Sequence, residues 1–145
     1  MPGTTPFQPL LVIEDSDEDL AVLLRALREI GFTRPVLHHS DAARALELLK
    51  AGVLSPAVVL LDLNLPGLGG RSFLQQLKAE EKLKPMPVVV FSTSDNPGDI
   101  EFCYRNGASG FVTKLMDMEL QRNALRTIAE YWFQTVHLAH RNRAG

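Results

Sequence analysis

Four short apolar runs each stop at a reactive polar group, and few folds accommodate that pattern. Leu10-Leu11-Val12-Ile13 leads into Glu14 and Asp15, and Val58-Val59-Leu60-Leu61 leads into Asp62. Val88-Val89-Val90-Phe91 leads into Ser92, and Gly110-Phe111-Val112-Thr113 into Lys114. Unbroken apolar runs of this length suit strands buried on both faces, as in a parallel sheet. Parallel strands gather all their carboxyl ends along one edge, so these groups would converge there. Three carboxylates brought together repel one another, and a bound Mg²⁺ with Lys114 nearby would make the cluster tolerable.

Helical patterns fill the gaps between the strands. Leu20, Leu23, Leu24, Leu27 and Gly31 trace one helical face, and Gly31 can stop it. Val36 to His39 reads as a short, half-polar strand. Ser40 or Asp41 can cap a helix from Ala42 to Lys50 that ends near Gly52. The loop Asn64-Leu65-Pro66-Gly67-Leu68-Gly69-Gly70 precedes a helix with Phe73, Leu74 and Leu77 inward, and Ile100, Cys103 and Gly107 mark the inward face of another. A last helix is expected from near Asp117 to about Ala139, roughly 34 Å long, covering the sheet with Leu120, Ala124 and Ile128. Strand–helix alternation with short loops predicts an α/β fold, a doubly wound five-stranded parallel sheet of order 2-1-3-4-5 with an extended C-terminal helix. The two least apolar strands, 36–39 and 110–113, fall at its edges. Strands 1 and 3 then lie side by side at a topological switch point, where such sheets bind ligands.

The chain of 145 residues fits one domain over 9–140, with tails at 1–8 and 141–145. A net charge of −2 leaves no footprint for nucleic acid. Cys103 is the single cysteine, which excludes an internal disulfide and suits a reducing compartment. No apolar run approaches the roughly 20 residues that span a bilayer. Met1-Pro-Gly-Thr-Thr-Pro does not read as a signal peptide, so a cytoplasmic location is expected. His38, His39, His137, His140, Arg141, Arg143 and Cys103 receive no function.

At the convergent edge Asp62 is the candidate nucleophile. A carboxylate that attacks a phosphoryl group makes an acyl phosphate, a reaction that needs positioning and neutralisation of the phosphoryl oxygens. Asp15, Asp62 and the main-chain oxygen of Asn64 would hold Mg²⁺, with Glu14 acting through a metal-bound water. Lys114 would pair with Asp62 when the site is empty and with the phosphoryl oxygens when loaded. The Ser92 hydroxyl would donate a hydrogen bond to the new group. Each residue alone has a plainer reading: Asp62 as a turn former, Asp15-Ser16-Asp17 as a helix cap, Ser92 to Pro97 as a helix start and Lys114 as a surface charge. Their conjunction at four strand ends favours a site.

Val12-Ile13-Glu14-Asp15-Ser16, Leu61-Asp62-Leu63-Asn64-Leu65-Pro66, Ser92 and Gly107-Ala108-Ser109-Gly110-Phe111-Val112-Thr113-Lys114 resemble bacterial response-regulator receiver domains over roughly residues 9–135. The resemblance implies a (βα)₅ fold, Mg²⁺ dependence, and phosphorylation of Asp62 by a histidine kinase or phosphotransfer protein. It implies that Phe111 is the switch aromatic, and that Asn64 and Ser94 tune water access to the phosphoryl group. Leu115 stands where the family usually has proline, so a trans Lys114–Leu115 bond is expected, the cis form costing roughly 3 kcal/mol. Gly69 stands where an acidic residue is usual, so a more mobile loop is expected. The missing proline and the ending Ile128 to Val136 are similar to single-domain regulators paired with phytochrome-type histidine kinases. Successive residues of a helix diverge by about 100°, so one face cannot bury Tyr131, Trp132 and Phe133. That suggests a homodimer surface of Leu125, Trp132, Phe133 and Val136 along the strand 5 and last-helix face.

Rival readings are a haloacid-dehalogenase-like phosphatase, a flavodoxin-like FMN carrier and an intermediate in a phosphorelay. The phosphatase would need an aspartate where Asn64 stands. The acidic run Glu14-Asp15-Ser16-Asp17-Glu18-Asp19 would repel the phosphate of FMN.

Overall fold

A computed structural model describes residues 8–139. Five strands, β1 (Leu10–Ile13), β2 (Val36–His39), β3 (Val58–Leu61), β4 (Val88–Ser92) and β5 (Gly110–Thr113), form one parallel sheet. Their order is β2-β1-β3-β4-β5, as expected. Helices α1 (Asp17–Glu29), α2 (Ala42–Lys50), α3 (Gly69–Ala79), α4 (Pro97–Arg105) and α5 (Met118–Glu130) connect and follow the strands.

The apolar strands split their side chains between two cores. Leu11, Ile13, Val59, Leu61, Val88 and Val90 face one way, towards Leu46, Leu49, Phe73, Leu74, Leu77 and Cys103 of α2, α3 and α4. Leu10, Val12, Val58, Leu60, Val89 and Phe91 face the other, towards Leu23, Leu27, Leu125 and Ile128 of α1 and α5. The central runs are therefore apolar at every position because both of their faces are covered. The edge strands β2 and β5 are less completely buried.

Helix starts are set by side chains that accept hydrogen bonds from the first-turn amides. Ser16 accepts from Asp19 N, Asp41 from Ala43 and Arg44 N, Asn96 from Gly98 and Asp99 N, and Asp117 from Leu120 N. No peptide bond among the described residues is cis, so Lys114–Leu115 is trans as expected. Gly69, at φ +80°, occupies the left-handed region at the start of α3, which glycine adopts without strain.

The end of the chain differs from the expectation. The α-helix stops at Glu130, a π-helical turn covers Tyr131–Thr135, and Val136 is extended, so no regular helix reaches Ala139. Val136 N donates to Tyr131 O at 3.0 Å, the i→i+5 bond of that turn, and the Thr135 hydroxyl donates to Glu130 O at 3.0 Å. The inward face of α5 is Gln121, Leu125 and Ile128, whereas Leu120 is 53% exposed. Of the expected face, Ile128 is buried and Ala124 half-buried, but Leu120 is not inward, and the polar Gln121 takes the inward position next to it. Leu125 is 2% exposed inside the α1/α5 core, so it has no surface to give to a dimer. Trp132 and Phe133 also pack partly against this core, and the Phe133 ring meets Phe32 edge-on at 5.1 Å beneath Arg34. Tyr131 remains half exposed. Residues 1–7 of the expected tail 1–8, the expected tail 141–145 and His140 lie outside the described residues.

Candidate functional site

Register brings the site together. Ile13 lies level with Leu61, and Ser92 with Thr113, so Glu14, Asp62, Ser92 and Lys114 gather at the carboxyl edge. Backbone bonds continue the ladders one residue further. Asp62 N donates to Ile13 O at 3.1 Å, and Lys114 N to Ser92 O at 2.7 Å. Glu14 N donates to His39 O at 3.2 Å, and the Glu14 carbonyl accepts from His38 Nε2 at 2.8 Å, which settles His38 as an edge-strand support. Gly70 lets α3 start against the end of β3. A Cβ at that position would lie 2.5 Å from Asp62 O and 2.6 Å from Leu63 Cα.

The centre is an ammonium enclosed by three carboxylates. Lys114 Nζ lies 2.5 Å from Glu14 Oε1, 3.0 Å from Asp19 Oδ2 and 3.3 Å from Asp62 Oδ2. The Lys114, Glu14 and Asp62 side chains are 10%, 5% and 8% exposed, and that of Asp19 is half exposed. Asn64 N fixes the other Asp62 oxygen at 3.1 Å, and Ser16 N holds Glu14 Oε2 at 3.2 Å. Burial pushes the Glu14 carboxyl up, aided by Asp62, against the hydrogen bond from Lys114. Burial alone would push Lys114 down, but its hydrogen bond to Glu14 and the Asp62 charge carry it above the usual lysine value. The lysine is thus a fixed cation, and the carboxylates outnumber it.

Carboxylate oxygens of Glu14, Asp19 and Asp62 lie within 4.8 Å of one another. Hard oxygen donors with excess negative charge fit Mg²⁺. The expected ligand Asp15 is outside this cluster and exposed. Asp19, in the first turn of α1, takes a place there and also pairs with Lys114. Its position three residues after the cap Ser16 was the available signal, since a side chain there reaches back towards the cap.

Ser92 is fully buried, and its Oγ accepts from Ser94 N at 3.4 Å. Phe111 is half-buried against the α2/α3/α4 core, and its N–H donates to the Tyr104 hydroxyl at 3.2 Å. Asn64 is exposed, and its side-chain amide donates to the Thr93 hydroxyl at 3.4 Å. Leu115, Met116 and Met118 follow Lys114 as exposed apolar residues and wall a cavity of about 280 Å³ with Glu14, Asp19 and Phe91. Sequence reasoning did not single out this cavity.

A doubly wound sheet with a cation-ready acidic pocket beside a lysine and a buried hydroxyl defines a phosphoryl-handling signalling module more closely than a hydrolase. Asn64 stands where the phosphatase reading needs an acid. The response regulator receiver domain matches residues 10–126, and the chain belongs to that family. The probable methanogenesis regulatory protein FilR2 of Methanothrix harundinacea is 33% identical over 127 residues, 85% of this chain and 82% of that protein. Response regulator Rcp1 of Synechocystis is 29% identical over 140 residues, 93% of this chain and 95% of its own length. The crystal structure of the phosphorylated cyanobacterial phytochrome response regulator RcpA superposes with a TM-score of 0.85 at 30% identity, covering 93% of this chain and 100% of that one. The Mn²⁺-bound form of Rcp1 gives 0.82 at 28% identity, covering 92% and 99%. The chain is a receiver-domain response regulator resembling phytochrome response regulators, with an acidic pocket suited to Mg²⁺. Among the described residues no helix is long and apolar enough to cross a membrane.

Proposed function

We propose that residues 9–140 act as a receiver domain that takes a phosphoryl group on Asp62 from a sensor histidine kinase of the phytochrome type. The observation that carries this is the enclosed Lys114 ammonium shared by Glu14, Asp19 and Asp62 at the switch point of the sheet. One Asp62 carboxylate oxygen attacks phosphorus, the bond to the donor imidazole breaks, and an acyl phosphate and a free histidine result. Asn64 N orients the carboxylate through its second oxygen. Lys114 exchanges carboxylate partners for phosphoryl oxygens. Ser92 turns its hydroxyl to donate to the phosphoryl group, and Phe111 moves into the space released. Mg²⁺, held by the acidic cluster and the main-chain oxygen of Asn64, would neutralise charge on the transferring group.

On this reading the protein is a phosphoacceptor, with self-phosphorylation and self-dephosphorylation as its only reactions, working in the cytoplasm. Its output is a protein surface on the β5 and last-helix face. A homodimer there would use Trp132, Phe133 and Val136 but not Leu125. Sedimentation that finds only monomer at high micromolar concentration, with and without a phosphoryl mimic, rejects the dimer. Mixing the chain with an autophosphorylated phytochrome-type kinase tests the donor. Label should pass to this chain faster than from unrelated kinases, and equal rates from all donors would remove the phytochrome assignment.

A further inference from the structure

A second polar chain leads away from the switch hydroxyl. Ser92 Oγ accepts from Ser94 N, and the Ser94 hydroxyl donates to Asp99 Oδ2 at 2.6 Å while accepting from Asn96 N at 3.2 Å. The other Asp99 oxygen is ion-paired with Arg71. Arg71 lies in the first turns of α3, just past Gly70 and the Asp62 loop, and Asp99 lies in the first turn of α4. The β4–α4 loop is therefore tied at Ser94 to both helices. The Ser94 and Arg71 hydrogen bonds hold the Asp99 carboxyl below its usual range, so it stays an ionised acceptor.

We propose that Arg71 and Asp99 are positioning residues that hold Ser94, and through its backbone N–H the Ser92 hydroxyl, in the resting arrangement. This rests on the phosphoacceptor reading above. On that reading the Ser92 hydroxyl moves from Ser94 N towards the phosphoryl group on loading, so a contact made only at rest opposes loading in proportion to its strength. The Ser94–Ser92 bond is long, and the Arg71 and Asp99 side chains are 44% and 23% exposed, so the bias is modest. Releasing it should change the loading rate by about two- to fivefold. The Ser94 hydroxyl is thereby committed to Asp99 at rest.

The test follows phosphoryl uptake from acetyl phosphate by intact mass over time. Asp99→Ala and Arg71→Ala should each load about two to five times faster than wild type. Arg71→Lys should restore most of the wild-type rate. Asp99→Asn, which keeps an acceptor for Ser94, should fall between and serves if alanine does not fold. In a Ser94→Ala background neither alanine variant should add anything, a result that a general loss of helix stability would not produce. Unchanged or slower uptake in Asp99→Ala, or the same acceleration without the Ser94 hydroxyl, overturns the positioning role. A wild type that takes up no phosphoryl group overturns the phosphoacceptor reading itself.

Discussion

Replacing Lys114 by methionine keeps the apolar stem and removes the one positive charge enclosed by Glu14, Asp19 and Asp62. Removing one partner of a buried pair strands the other charge and typically costs about 3–5 kcal/mol. Asp19 is half exposed and water can reach it, so the lower limit, about 3 kcal/mol, is the expectation here. For a chain of this size that corresponds to a fall in Tm of roughly 8–10 °C. The loss should depend on pH in a stated direction. Without the lysine only burial and Asp62 act on Glu14, so its folded pKa rises further above 4.5. Between 4.5 and the raised value the folded variant holds a proton that the unfolded chain has released, and stability falls as pH rises through that window. The deficit is therefore largest at neutral pH and shrinks towards pH 4.5. In the wild type the raised Lys114 pKa gives the opposite landmark: its stabilisation is complete below 10.5 and is lost as pH rises through the folded value. Mg²⁺ at a hundredfold over its Kd should return about 2.7 kcal/mol to the variant. Urea unfolding at neutral and mildly acidic pH, in EDTA and in Mg²⁺, reads all of this. A loss under about 1 kcal/mol, or one that neither acid nor Mg²⁺ relieves, would refute the view that Lys114 neutralises this cluster.

Other consequences follow from the same geometry. Asp62→Asn removes one of three crowded carboxylates, so in EDTA it should unfold at a higher urea concentration than wild type while losing its Mg²⁺-dependent stabilisation. Gly70→Ala would press a Cβ onto the Asp62 carbonyl and Leu63 backbone and should cost about 1–3 kcal/mol by urea unfolding. Cys103 is fully buried and burial pushes its thiol pKa up, so thiol reagents should modify it at neutral pH only as fast as the chain opens, and rapidly in denaturant.

The strand order, the pairing of Asp62 with Lys114 and the place of Ser92 on the same carboxyl edge were legible because all follow from one property, apolar runs with polar ends in a parallel sheet. Helix phase was less legible where a polar residue faces inward. Gln121 is buried beside Leu125 and Ile128, while the apolar Leu120, Met118 and Met116 are exposed. Asp19, to which the spacing gave no role, joins the acidic cluster and Asp15 lies outside it, because side-chain direction in a loop and first turn is not encoded by spacing alone. The aromatic triplet was judged by α-helical angles. The π-helical turn changes those angles and lets Trp132 and Phe133 share the core while Tyr131 points out.

Intact-mass analysis after incubation with acetyl phosphate tests most directly whether Asp62 is a Mg²⁺-dependent phosphoacceptor. One added phosphoryl group on the wild type, missing in EDTA and missing from Asp62→Asn, is the expected result. A wild-type mass that never changes, or the same addition on Asp62→Asn, contradicts it.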